Sequence, residues 1–428
     1  MGALLAAGTA SSSLADERQR FIVVLEDNVH AAAAAQEHAR SENAEIGFVY
    51  EHALNGYSAT MSPQAAARIE RDPRVAYVEP DLKVSTTAQT LPTGVNRIDG
   101  ELSPTAKIDG IEDPIDVDIA ILDSGIDLDH PDLNVVASTG CAGGGPMNKT
   151  CTNGAGDDDN GHGSHVAGIA AARDNGFGVV GVAPGARLHA VKVLDSRGSG
   201  YLSWIIAGID WVTARASTIE VANMSLGGSG HTVSYRTAIA NSVAKGVVYY
   251  VAAGNEMRDV YGSDGVFGTS DDTQPASFPE VGTISALADF DGRPGGLGSG
   301  SYSYGVGCTE NRDDSFACFS NYARNVTNNP VTSSGGKIDM MLPGTAIVST
   351  YSQGRYASTH GTSQASPHAA GLAALYIARN GRATTAAGVY AIRQALINAA
   401  QGQTTTSGLT THDDPDLRKE PIGWGATL

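Results

Sequence analysis

The stretch IAILDSGIDLDHPDL, residues 119–133, decides how the rest of the chain is read. It begins with four apolar residues and no polar alternation, the pattern of a strand buried on both faces. Asp123 ends that run. Its bland reading is a solvated loop acid or turn former; its functional one is a carboxylate that orients a histidine. Further runs of the same kind follow: RLHAVKVL, VANMSLG, GVVYYVAAGN and GTISALAD. Between them lie the helix-like segments GSHVAGIAAAR, LSWIIAGIDWVTARA and YRTAIANSVAKG. Such alternation predicts an α/β fold, a parallel sheet flanked by helices. In such sheets the active site lies at the carboxyl ends of the strands.

Residues 20–84 read as a separate small unit. RFIVVLE is a strand and HAAAAAQEHARSEN a helix. EIGFVYEHALNGYSATM carries one or two strands with Asn55-Gly56 as a turn signal, and Ser62-Pro63 opens a second helix. VAYVEPDLKV closes with a strand. This order predicts a small α+β, ferredoxin-like domain. STTAQTLPTG, polar and without periodicity, reads as a linker or processing site. Residues 85–428 form the main domain, and 1–19 read as the remnant of a secretory leader.

Composition narrows the function. With 41% hydrophobic and 17% charged residues, the chain can fold and is not disordered. A net charge of −18 disfavours nucleic acid and anionic membranes as partners. No other segment has eighteen uninterrupted apolar residues, so no membrane span is expected. Four cysteines fall into two local pairs, Cys141 with Cys151 and Cys308 with Cys318, in polar, Gly-rich loops. No C-x-x-C spacing supports zinc, so these read as disulfides made in an oxidising, extracellular setting. Each loop of roughly ten residues adds about 2–3 kcal/mol.

Chemistry-bearing residues recur at strand ends and helix starts. GTSQASPHAAG, residues 361–371, sets Ser363 on a Gly-Thr turn before an alanine-rich helix. Ser363 reads as a helix cap, or as a nucleophile whose oxyanion would meet the helix N-terminus. The second reading requires partners. NGHGSHVAG offers His162 on a tight turn as a general base, with His165 one turn further into its helix and His368 beyond Ser363 both reading as structural. Asp123 would orient His162. VYYVAAGNE carries Asn255 after its strand, an ordinary turn residue or an oxyanion donor.

Together these pieces resemble the subtilisin-like serine peptidases, the subtilases. The resemblance rests on DSGID (123–127), HGSHVAG (162–168), SLGG (225–228), AAGN (252–255) and GTSQASPHAAG (361–371). It departs from the family pattern at Ser164 and Gln364, neither of them a catalytic position. It implies a secreted endopeptidase with Ser363, His162 and Asp123 as its triad, Asn255 as oxyanion donor, and no redox cofactor. Substrate is expected as an extended strand between Gly198, Ser199 and Gly200 on one side and Ser225, Leu226, Gly227 and Gly228 on the other. Ala252, Ala253 and Gly254 would line a roomy pocket for the side chain preceding the scissile bond. Glu256 at its rim leaves room for a basic one.

The resemblance also makes residues 20–84 an inhibitory propeptide, removed by self-cleavage near Thr87–Ala88. It implies structural calcium held by Gln89, Asp132 and Asn175 side chains with the carbonyls of Arg173, Phe177 and Val179. A second loop, DGVFGTSDDT (264–273), reads either as a calcium loop or as a solvated acidic loop. Asp157, Asp158 and Asp159 should raise the His162 pKa if they lie close. Protein or peptide substrates and the chain's own propeptide are the expected partners of a monomeric enzyme. The rival reading is a non-catalytic binding protein on the same fold.

Overall fold

The computed structural model describes residues 18–81, 89–143, 150–304, 307–310, 312–326, 328–403, 414–416 and 418–428. The expected maturation junction and most of the expected leader lie outside these. The chain divides into two compact units, Met1–Ser85 and Thr86–Leu428.

The first unit runs β1 (Gln19–Leu25), α1 (Ala31–Glu42), β2 (Glu45–Tyr50), β3 (Gly56–Met61), α2 (Pro63–Ile69) and β4 (Val75–Pro80). The antiparallel sheet has the order β2-β3-β1-β4. Phe21, Val23 and Leu25, alternate residues of β1, enter a small core with Ala31, Ala34 and Ala35 of α1. Ser62 caps α2, accepting from the Ala65 N–H at 3.2 Å, and Pro63 takes the first turn, where its missing N–H costs nothing. Gly56 differs from the expectation. It is not a turn residue but the first residue of β3, paired with Val24. A Cβ there would sit 2.2 Å from the Val23 carbonyl, so close approach of strands is what needs glycine. The neighbouring Asn55 makes the turn by donating its amide to the carbonyls of Glu26 and Val29.

The second unit is built on a nine-stranded sheet. Its parallel strands are β5 (Asp118–Asp123), β6 (Val135–Gly140), β7 (Arg187–Lys192), β8 (Val221–Met224), β9 (Val248–Ala252), β10 (Gly282–Ala288) and β11 (Ile338–Pro343). They lie in the order β6-β7-β5-β8-β9-β10-β11. Two-residue strands at Thr152–Asn153 and Ser315–Phe316 add antiparallel pairs. β5 is buried along its whole length. Strand order reverses around it, so its carboxyl end opens at a switch point of the sheet. Asp123 is at that end.

Helices α3 (His162–Ala171), α4 (Leu202–Thr213) and α5 (Val233–Val243) connect successive strands. α6 (Thr362–Asn380) is buried over most of its length and α7 (Ala386–Ala399) follows it. α6 affords this burial because Ala365, Ala369, Ala370, Ala373 and Ala374 let it pack close beneath the strands. The α/β architecture with a small α+β unit before it is the one expected from the sequence.

Candidate active site

Asp123 is fully buried and meets His162 at the first residue of α3. The Asp123 Oδ1 lies 2.7 Å from His162 Nδ1 and accepts the Ser124 N–H at 2.7 Å. Gly163 makes this approach possible, since a Cβ there would fall 2.0 Å from the Gly125 carbonyl and 3.1 Å from Asp123 Cβ. Burial would lower the His162 pKa, but the charge and hydrogen bond of Asp123, with Asp158 behind it, raise it overall.

Asp158 is the clamp beneath this turn. Its Oδ1 accepts from Ser124 Oγ and from the N–H groups of Asn160 and Gly161, and its Oδ2 accepts from Ser164 N–H and Oγ. Burial alone would raise its pKa, yet these donors hold it below the ordinary value. Ser164, the departure from the family pattern, therefore keeps a hydroxyl with a defined partner. Asp159 pairs with Lys192 at 2.5 Å, and Asp157 accepts from the Leu128 N–H. Of the three acids, Asp158 is the one that acts on His162. His165 and His368 are buried, and burial pushes both down to about 4. Neither is a base for surface chemistry.

Ser363 occupies the first turn of α6, where its N–H has no carbonyl four residues back to bond. Its Oγ donates to the Ser225 carbonyl at 3.2 Å, turned from His162 although both line one cavity. Nucleophile and base contacts of this kind tighten when substrate arrives. Asn255 has a fixed amide. Its Oδ1 accepts from Thr362 N–H at 2.9 Å and Thr362 Oγ at 3.0 Å, so Nδ2 is left to donate. Thr362 Oγ in turn accepts the Gly254 N–H. Two N–H donors thus flank Ser363, its own and the Asn255 amide.

The cavity measures about 830 Å³ and is lined by His162, Ser363, Asn255, Gly198, Ser199, Gly200, Ser225, Leu226, Gly227, Gly228, Ala252, Gly254 and Glu256, with others. Ala253 does not line it. It is buried behind the wall, its carbonyl accepting from Asn321 Nδ2. The Glu256 carboxylate is held by that same Asn321 amide at 2.7 Å.

The six residues expected around calcium lie together. Gln89 Nε2 sits 2.7 Å from the Arg173 carbonyl and 3.3 Å from that of Val179. Asp132 receives Asn175 Nδ2 and the Val179 N–H, and Asn175 Oδ1 receives the Phe177 N–H. Asp132 is fully buried and burial pushes it up to about 6. A buried carboxylate in the same loop cluster as the Arg173 and Val179 carbonyls offers oxygens of the kind that suit a hard cation. Turning the Gln89 amide over would add its oxygen.

In the loop 264–273, Asp264, Asp271 and Asp272 accept N–H groups of Val266, Ser263 and Gly268 from the same loop. Another acidic cluster, Asp289, Asp291 and Asp313, lies beside the buried Arg97–Asp314 pair. Cys141–Cys151 and Cys308–Cys318 are disulfides.

The subtilase family profile matches residues 115–425. The chain belongs to the subtilase family. The peptidase inhibitor I9 profile matches residues 20–87 of this subtilase, which identifies the propeptide. Subtilisin E of Bacillus subtilis (strain 168) is 37% identical over 327 residues, 76% of this chain and 71% of the relative. M-protease of Shouchella clausii (strain KSM-K16) is 33% identical over 361 residues, 84% and 78% of the two chains. Among solved structures, a cold-adapted subtilisin-like serine proteinase has a TM-score of 0.54 at 26% identity, and a psychrophilic protease, S41, has 0.58 at 29%. Each covers 79% of this chain and 99% of its own. The subtilase is therefore a serine endopeptidase with an I9-type propeptide, an intramolecular inhibitor.

Two features of the subtilase's site escaped sequence reasoning. Pro367, four residues after Ser363, has no N–H for the Ser363 carbonyl. Ser225 Oγ supplies it instead at 2.8 Å, itself receiving Asn223 Nδ2, while Ser366 Oγ donates to Asn223 Oδ1. The proline in QASPH was the available signal. Arg258, which also lines the cavity, carried no local signal.

Proposed function

We propose that this subtilase is a secreted, calcium-stabilised endopeptidase, made as a zymogen that cuts itself near Thr87–Ala88. Ser363 Oγ attacks the scissile carbonyl as His162 Nε2 takes its proton. Asp123 stays ionised, holds the proton on His162 Nδ1 and stabilises the imidazolium. The tetrahedral oxyanion is held by the Ser363 N–H and Asn255 Nδ2. His162 then gives its proton to the leaving amine, and water repeats the sequence to free the acyl group. No redox cofactor enters.

The observation that carries this reading is the Asn255 amide. Thr362 bonds its oxygen, which leaves its N–H to donate, and Asn255 lines the same cavity as Ser363 and His162. Calcium would be held by Gln89, Asp132 and Asn175 with the carbonyls of Arg173, Phe177 and Val179, where it supplies charge to balance Asp132. Substrate lies as a strand along Gly198 to Gly200 and Ser225 to Gly228, with peptides and the propeptide as the partners. The charge of −18 and the two disulfides support an extracellular monomer that binds neither nucleic acid nor membrane. Among the described residues, no helix is long and apolar enough to cross a membrane.

The test is labelling by a serine-directed phosphonofluoridate. Wild type should take one label on Ser363 and lose peptide hydrolysis in step. A label elsewhere, or hydrolysis that survives full labelling, would reject the mechanism.

A further inference from the structure

Arg258 lines the cavity that also holds Ser363 and His162. On the peptidase reading Ser225 to Gly228, Ala252 and Gly254, all of which line that cavity, wall the side chain that precedes the scissile bond. Gly228 pairs with Gln274 and Ser229 with Thr273, and all four line the cavity. Arg258 Nη2 donates to Ser229 Oγ at 2.9 Å and to Thr273 Oγ1 at 3.3 Å, which pins the guanidinium across that pairing. Its Nε is buried and has no acceptor. Among the described residues Arg258 makes no ion pair. Glu256, two residues before it, gives its carboxylate to Asn321, and Asp259, the next residue, accepts the N–H groups of Tyr261 and Arg324.

A guanidinium is always charged and demands planar acceptors, and a buried N–H without one is costly. A substrate carboxylate supplies both the charge and two acceptors. An apolar side chain would cover the guanidinium and leave it unpaired, and a basic one would meet like charge. We propose that Arg258 gives this enzyme a preference for an acidic residue, Glu or Asp, immediately before the scissile bond. The inference rests on the peptidase reading above and opposes the expectation that Glu256 leaves room for a basic side chain. Thr87, the residue before the expected maturation bond, is not acidic. Cleavage within one chain runs at high effective concentration and tolerates a poorer side chain.

The test uses the matured enzyme and four chromogenic peptides that differ only in Glu, Gln, Phe or Arg before the scissile bond. In wild type, kcat/KM for Glu should exceed that for the isosteric Gln by about 10- to 100-fold, the scale of a charge-assisted hydrogen bond. In Arg258→Gln the ratio should fall to about one, and Arg258→Lys should keep part of it. The wild-type ratio needs no variant, so a misfolded mutant does not protect the idea. A ratio of one or less in wild type, with Phe cleaved, overturns the preference and leaves the peptidase reading standing. A ratio unchanged in a folded Arg258→Gln enzyme overturns the role of Arg258. Hydrolysis of none of the four brings down both.

Discussion

Ser225 Oγ donates to the Ser363 carbonyl at 2.8 Å, the acceptor that Pro367 cannot serve. The nucleophile is thus held from both ends. Its carbonyl is tied to the SLGG strand, and its N–H is left free by the start of the helix. Removing the hydroxyl by Ser225→Ala would leave a buried carbonyl unsatisfied, at about 1–3 kcal/mol. Urea unfolding, run on a Ser363→Ala background to stop autolysis, should show that loss. Ser225→Thr should recover most of it.

Asp123 and Asp158 raise the His162 pKa above its ordinary 6.5, against burial. The base works when neutral, so kcat/KM should fall as pH drops through a value above 6.5. In Asp123→Asn the raising charge is gone, so the limb should move to lower pH while the rate falls by about 10⁴. A pH profile of both enzymes measures this. A limb that stays in place would mean that another group titrates.

Asn255→Ala removes one of two oxyanion donors. The expected loss is about 10²–10³ in kcat with KM little changed, the magnitude found in subtilisin, a relative of this chain. Steady-state kinetics would show it. A loss confined to KM would mean that Asn255 binds substrate rather than the oxyanion.

The strands at 118–123, 187–192, 221–224, 248–252 and 282–288 were legible because both faces are buried and their residues are apolar. Val135–Gly140 was not, because VVASTG mixes polar and apolar residues without a period. Ile338–Pro343 contains Asp339, which looks wrong for a buried strand until its partner Arg393, 54 residues later, is seen at 2.8 Å. Active-site residues were legible where a short motif carries them. Arg258 was not, because its meaning comes from Ser229 and Thr273, which only the fold brings to it. Asp158 was counted among three acids, but only its hydrogen bonds distinguish it from Asp157 and Asp159.

Calcium should stabilise the folded state at the loop around Asp132. Free calcium at 100-fold its dissociation constant would add about 2.7 kcal/mol, and chelation would remove it. Calorimetry of the Ser363→Ala protein with and without chelator should show a lower Tm without calcium, and Asp132→Asn should shrink the difference. An equal difference in both proteins would place the calcium elsewhere, for instance in the loop 264–273.

The central claim is that Ser363 cuts this chain's own propeptide and then peptides. Intact mass and N-terminal sequencing of wild type beside Ser363→Ala test it most directly. Wild type should lose about the first 87 residues, the length the I9 profile reaches, and Ser363→Ala should keep them. Identical trimming of both proteins would contradict self-processing by Ser363.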